Sequence, residues 1–422
     1  MNVKNKTPEA QRLHIVITGA ANSGKSSLLN ALTGQHTSVV SSTKGTTTDP
    51  VKKPMELHGT GPVIFVDTAG FGDNTELGAL RTEKTLEAIR SADMIICVFS
   101  ADTFYDETAG DTGSPTALSW LKLVNESGKK IIPVLSKCDL MTNSERAEYV
   151  QKIIRQVNTN PVFFSTVQNT EKCVSALLEK IAGCIPQEFL SPKTFTGNLC
   201  TENESVLLVM PQDIEAPKGR LILPQVQVLR ELLDKKCLVS CCTADKVEET
   251  LSTLKQPPSL IITDSQAFKT VYAHKPVQSL LTSFSILMAA QKGDISKYRE
   301  GAYAIANLKK TSRVLIAEAC THVPLEEDIG RVKIPALLKK LIPEIQIDFE
   351  RGTDFPDLKP LQQGKNAAAP YDLIIHCGAC IHNSSYVQDR QKRAALAGIP
   401  MTNYGLAIAF LTGILDDVAI PE

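Results

Sequence analysis

Two groups of residues, near opposite ends of the chain, have the types and spacing of binding chemistry. Gly19-Ala-Ala-Asn-Ser-Gly-Lys-Ser26 fits G-x-x-x-x-G-K-S without a mismatch. Its glycines permit a tight loop whose backbone N–H groups point at phosphate oxygens. Lys25 is placed to reach the β- and γ-phosphates of a nucleotide, and Ser26 to put its hydroxyl on Mg2+. Ser23, Gly24 and Ser27 complete the loop and the turn behind it. The second group is Cys320-Thr-His322 with His376-Cys-Gly-Ala-Cys380. Three thiolates suit an iron–sulfur cluster, each holding one iron of a cubane and leaving the fourth for a histidine or an exchangeable ligand. The same set fits a Cys3His zinc site, because thiolate is soft enough for both metals. His382, just beyond, reads as a surface residue or as a support to the ligands.

The elements around the first group give it context. His14–Thr18 is a β-rich run that enters the loop, and the residues from Ser26 to Thr33 have helical spacing. A helix N-terminus is thereby aimed at the anion. Further apolar runs of strand length stand at 63–67, 94–99, 130–136 and 161–165. Strands alternating with helices predict a parallel sheet covered by helices.

Three more segments turn a nucleotide site into a guanine nucleotide site. Asp67-Thr-Ala-Gly70 follows a strand, where an Asp of the metal shell and a γ-phosphate-sensing glycine belong. Lys44-Gly-Thr-Thr-Thr-Asp49 lies between, and Thr47 is the threonine assigned to Mg2+ when the γ-phosphate is present. Ser136-Lys137-Cys138-Asp139 ends another strand, and Asp139 there can accept hydrogen bonds from guanine N1 and N2. At the end of the next strand the Ser165 amide can meet guanine O6.

The chain is α/β throughout. The stretch 186–203 has Pro, Gly, Ser and Thr without periodicity and reads as a linker. Beyond it, 205–210, 237–241 and 259–264 read as strands and 224–234 as a helix; 313–318 and 372–376 are the strands that the cysteine–histidine groups follow. Those groups therefore sit at the carboxyl ends of strands, where ligands collect when strand order reverses. The apolar stretch 280–290 reads as a packed helix, too short to span a membrane. The domains are expected at 1–186, 187–274 and 275–422.

Composition narrows the function classes. With 43% hydrophobic and 22% charged residues the chain reads as soluble and globular. A net charge of −1 gives no global field for nucleic acid or an acidic membrane. No signal peptide and no membrane span are expected. Eleven cysteines without an export signal read as free thiols in a reducing, cytoplasmic compartment.

The nucleotide segments, in order and spacing, resemble the GTPase domains of the translation-factor class, TrmE–Era branch, over residues 13 to 185. Two departures stand out. Ser136 replaces the family's Asn or Thr, which predicts weakened rather than lost guanine preference, and Thr166 replaces Ala. Phe71 occupies the place where many GTPases carry a water-orienting glutamine. Asn22 matches the position at which the TrmE-like branch holds K+, which would act in place of an arginine finger. The plainer reading of Asn22 is a residue that stabilises its loop.

Domain order adds a second resemblance. A TrmE-like GTPase domain, a small α/β unit and then C-x-H…H-C-x-x-C look like the FeFe-hydrogenase maturation GTPases, the HydF family; the stretches 215–227 and 282–287 look like that family too. The resemblance implies a P-loop GTPase domain, a central α/β dimerisation domain and a C-terminal α/β domain with a 4Fe-4S cluster. Cys320, Cys377 and Cys380 carry over as cluster ligands, with His322 and His376 as motif members. Phe71 and Asn22, with the TrmE-like resemblance, predict slow, potassium-stimulated GTP hydrolysis using GTP/GDP, Mg2+ and K+. The HydF resemblance also implies a homodimer or higher oligomer that passes a transient di-iron subcluster precursor to apo FeFe-hydrogenase, with two radical-SAM maturases as further partners. The alternative is a GTPase of tRNA or ribosome metabolism with a structural zinc site.

Overall fold

The computed structural model describes residues 7–34, 50–57, 59–71, 76–100, 117–191, 193–210, 221–319, 328–352, 355–356, 358 and 369–422. Thr47, Cys320 and His322 lie outside the described residues. The chain forms two compact units, Met1–Pro192 and Lys193–Glu422.

The first unit is built on six strands: β1 (Leu13–Gly19), β2 (Val51–Leu57), β3 (Gly61–Asp67), β4 (Met94–Ser100), β5 (Lys130–Ser136) and β6 (Val162–Phe163). Their order is β2-β3-β1-β4-β5-β6, parallel except for β2 against β3. Every residue of β1 is buried. Alternation explains this: Leu13, Ile15 and Ile17 pack with Leu28 and Leu32 of the helix Lys25–Thr33, while Val16 joins Ile95, Phe99 and Trp120 on the other face. A strand covered on both faces needs apolar side chains at odd and even positions alike. β2 carries no apolar run because it is an edge strand with alternating exposure. Its Pro54 is tolerated there, where a central strand would lose a ladder bond.

The second unit holds two four-stranded parallel sheets. One comprises β7 (Ser205–Val209), β8 (Leu238–Cys242), β9 (Leu260–Thr263) and β10 (Leu280–Ser283) in the order β10-β9-β7-β8. The other comprises β11 (Arg313–Glu318), β12 (Gln346–Arg351), β13 (Leu373–His376) and β14 (Met401–Asn403) in the order β12-β11-β13-β14. A single apolar core takes residues from both, including Leu207, Ile261, Leu315 and Ile375.

The stretch 280–290, expected as one helix, is instead divided. Leu280–Ser283 pairs with β9, and the helix Phe284–Lys292 starts behind it. Ser283 makes the break: its extended backbone ends the strand and its hydroxyl accepts a hydrogen bond from the Ile286 amide at 3.3 Å. β10 therefore belongs to the middle sheet, although it lies beyond residue 274. β12, an edge strand with no fully buried residue, is a strand without an apolar run to announce it.

Both units place a strand-order reversal where the sequence puts chemistry. In the first sheet the chain runs from β1 to β3 on one side and to β4 on the other. In the last, β12 lies on one side of β11 and β13 on the other. Among the described residues, no helix is long and apolar enough to cross a membrane.

Candidate functional site

The phosphate loop begins at the end of β1 and is shaped by backbone conformations that few residues adopt. Gly24 has φ +95° and caps the helix that follows. A Cβ at Gly19 would lie 2.3 Å from the Val98 carbonyl oxygen, so only glycine lets the loop pass β4. Asn22 has φ +61°, the left-handed region that Asn tolerates best after Gly. Its residue type therefore already has a conformational cause.

Lys25 is 7% exposed, and its ammonium donates to the carbonyl oxygens of Gly19 at 3.1 Å and Ala20 at 2.7 Å. Burial pulls its pKa down to about 8, against the opposing attraction of Asp67. Ser26 donates its hydroxyl to Asp67 Oδ2 at 2.8 Å. Asp67 Oδ1 is buried without a hydrogen-bond partner, and burial pushes this carboxyl's pKa up, opposed by the Ser26 hydrogen bond. An oxygen left bare beside a serine hydroxyl is the donor set that Mg2+ and its waters satisfy. Ser26 and Asp67 thus fit the ion.

The segment Asp67–Gly70 is held against the loop by backbone. Ala21 donates its N–H to Phe71 O at 3.0 Å, and Phe71 to Gly19 O at 3.3 Å. A Cβ at Gly70 would sit 2.5 Å from Ala21 Cα, so any side chain would push the two loops apart. Phe71 itself is buried and stacks on Trp120, with ring centroids 5.4 Å apart. The residue in the glutamine's place is a core anchor and not a group that faces water.

Ser136 is the residue whose role sequence reasoning missed. Its hydroxyl is buried and contacts Ser23 O at 2.5 Å and Phe99 O at 3.0 Å. It clamps the phosphate loop to the strand that leads into the guanine segment. Lys137 follows in the left-handed region with φ +53°, and Asp139 sits in a single helical turn, Cys138–Leu140. The Ser165 hydroxyl oxygen accepts from the amides of Val167 and Gln168, both at 3.0 Å, which fixes the last loop.

In the second unit, Cys377 follows β13 at the reversal of the sheet, beside the end of β11. The Cys377 N–H donates to Ala317 O at 3.0 Å, which continues the ladder. Its sulfur accepts backbone N–H groups from Ala319 at 3.0 Å and from Ala379 at 3.4 Å. Ala379 pays for this turn with φ +45°. Two amides aimed at one sulfur stabilise a thiolate, and so fit a metal or cluster ligand. Cys380, three residues beyond Cys377, is half-buried.

His376 departs from its place in the ligand set. It is fully buried; Nδ1 contacts Cys377 O at 2.6 Å and Nε2 contacts the Arg390 guanidinium at 3.0 Å. Arg390 can only donate, so Nε2 accepts and the neutral ring's proton lies on Nδ1. Burial, then the Arg390 charge, pull the imidazole's pKa down to about 3. As folded, the ring has no lone pair left for a metal. His382, by contrast, bridges the two ends of the site: its Nε2 contacts Ala319 O at 2.9 Å while its ring stacks on Tyr386. Among the described residues, no three His, Cys, Asp or Glu side chains converge on a metal position.

The comparisons with known proteins divide the chain in the same sense. A model of the 50S ribosome-binding GTPase matches residues 14–137. Models of the hydrogen maturase F dimerization and tetramerization domains match 195–293 and 296–421, together more than half of the chain. The GTPase Der of Kosmotoga olearia is 31% identical over 166 residues, which is 37% of this chain and 36% of that protein. The tRNA modification GTPase MnmE of Paramagnetospirillum magneticum is 32% identical over 178 residues, 42% of this chain and 35% of that one. The chain thus spans little more than a third of the length of these relatives. Among solved structures, Era of Aquifex aeolicus bound to GDP.AlF4- matches 63% of this chain and 99% of its own, with 17% identity and a TM-score of 0.36.

Two outcomes test the geometry. Ser136→Ala removes a buried hydroxyl whose single proton is shared between two carbonyls, so denaturant unfolding of the first unit should lose about 1–3 kcal/mol while Ser136→Thr retains most of it. Lys25 has a folded pKa of about 8 against an ordinary 10.5. Between those values the unfolded chain holds a proton that the folded one has released, so the stability of the nucleotide-free unit rises with pH across that window. Below about pH 8 the full cost of the buried ammonium is present. Urea denaturation at pH 8 and pH 10 should show this rise in the wild type and its loss in Lys25→Met.

Proposed function

The chain belongs to the hydrogen maturase F family, and from that premise we propose that it is a GTP-hydrolysing scaffold that carries an iron–sulfur cluster and delivers a di-iron precursor to apo FeFe-hydrogenase. One observation carries the reading: a GTPase domain stands in one chain with two domains of that family, and the second of these holds the Cys377 loop at the reversal of a parallel sheet.

In the nucleotide half, the backbone of the phosphate loop and Lys25 bind the phosphates. Lys25 exchanges its two loop carbonyls for phosphate oxygens, and the incoming negative charge offsets the cost of its burial. Ser26 and Asp67 would hold Mg2+, which would neutralise phosphate charge; Thr47 is proposed as the residue that would join it with the γ-phosphate. Gly70 is assigned to sense that phosphate; its backbone passes so close to the phosphate loop that a Cβ there would lie 2.5 Å from Ala21 Cα. Asp139 and the Ser165 amide read guanine, and Lys137 lies over the base. Phe71 can neither orient water nor stabilise charge, which supports a slow reaction. Asn22 is assigned to K+, and the exposed position of its side chain on the loop is compatible with that role.

In the cysteine half, Cys320, Cys377 and Cys380 are proposed as ligands of a 4Fe-4S cluster. The two amides on Cys377 suit a thiolate ligand. His322 stays a candidate from the sequence, whereas His376 is assigned to holding the loop. The dimerization and tetramerization domains support a homo-oligomer. The reading places the protein in the cytoplasm with apo FeFe-hydrogenase and two radical-SAM maturases as partners and the di-iron precursor as cargo. The alternative, a tRNA or ribosome GTPase with zinc, rests on relatives whose similarity covers only part of the chain.

Anaerobic reconstitution followed by metal analysis and EPR tests the cluster. A brown, EPR-active protein on reduction, with the signal lost or altered in Cys377→Ser, is expected; a colourless zinc protein would sink the reading. GTP hydrolysis measured in KCl and in NaCl tests Asn22. A rate at least several-fold higher in potassium is expected, and Asn22→Ala should abolish the difference.

A further inference from the structure

The loop from Cys377 to His382 has an uneven arrangement of its peptide groups. Side-chain donors take the carbonyls of Cys377, Ala379, Cys380 and His382, and the amides of Ala319 and Ala379 turn to the Cys377 sulfur. Lys292 does most of this. It ends the helix Phe284–Lys292, is 5% exposed, and donates to Ala379 O at 2.7 Å, Cys380 O at 3.1 Å and His382 O at 2.7 Å. Three acceptors on one nitrogen require three N–H donors, so the group is an ammonium and not an amine.

We propose that Lys292 is the positioning residue of this cysteine loop, gathering its carbonyls on the protein side so that its amide hydrogens face sulfur, and leaving a fixed positive charge beneath the group the cysteines hold. The inference rests on the cluster reading. Cysteine ligands flanked by N–H donors and a buried cation carry less net negative charge, which favours the reduced cluster. His376 and Arg390 act in the same sense from the other end of the loop: the guanidinium fixes the imidazole, whose Nδ1–H holds the Cys377 carbonyl. His382 secures the facing strand through Ala319 O, immediately before Cys320. Helix, loop and strand end are thereby joined by side-chain donors to backbone carbonyls.

Potentiometric EPR titration of the reconstituted full chain tests this in the wild type, Lys292→Gln and Lys292→Met. Gln keeps a donor and loses the charge. It should retain the cluster while the reduction constant falls about tenfold, a shift of ~59 mV to more negative potential for a one-electron couple. Met loses both and should hold several-fold less iron. GTP hydrolysis by the first unit should be unchanged in both, and the oligomer mass reports on folding of the second. If Met fails to fold, the Gln potential decides. A cluster-bearing wild type whose potential matches that of Lys292→Gln overturns the assignment of Lys292. A wild type that takes up no cluster overturns the cluster reading itself, and the assignment with it.

Discussion

Everything chemical in this chain depends on parallel strands that stop together. A parallel ladder directs all its carboxyl ends to one edge, and where strand order reverses the loops leaving that edge diverge and open a crevice. In the first unit the register sets Ile17 beside Asp67 and Gly19 beside Val98, so the phosphate loop and the Asp67 carboxylate emerge together. In the second unit Ala317 lies beside His376, and Cys377 bonds straight back to Ala317. A one-residue slip in either ladder would separate the groups that the crevice assembles.

Both crevices use the same electrostatic device. A buried lysine ammonium is satisfied by carbonyls of the loop it supports, Gly19 and Ala20 for Lys25, and Ala379, Cys380 and His382 for Lys292. Carbonyls drawn to one side leave amides for the other, an arrangement that suits an anion; in the second unit the Cys377 sulfur accepts two of them. The two differ in number of contacts: Lys25 donates to two carbonyls of its loop, and Lys292 to three.

Close backbone approach is the other shared requirement. Gly19 passes the Val98 carbonyl and Gly70 lies on Ala21, so glycine is needed for space, not only for flexibility. Phe71 then locks the second contact by stacking on Trp120 in the core. A residue whose type removes one catalytic option thus serves a structural one, because a ring in that position ties the turn after Asp67 to the hydrophobic face of the sheet.

The sequence alone carried the phosphate loop, the sheet class and the order of the strands that bear the sites, because those depend on local spacing: glycines at fixed intervals, apolar runs, a helix start. It also carried the family, through motifs in order. It did not carry β2 and β12, whose edge positions leave no apolar run, or the break at Ser283, which a continuous apolar stretch conceals. Nor could it assign Ser136, Lys292 or His376. A serine in a base-reading motif, a lysine at the end of an apolar helix and a histidine next to a cysteine have the same appearance whether they face a ligand or the core. Only the tertiary structure brings Ser136 to Ser23, Lys292 to the Cys377 loop and Arg390 to His376, since each partner is supplied by a distant segment and hydrogen bonding is decided by direction as well as by residue type.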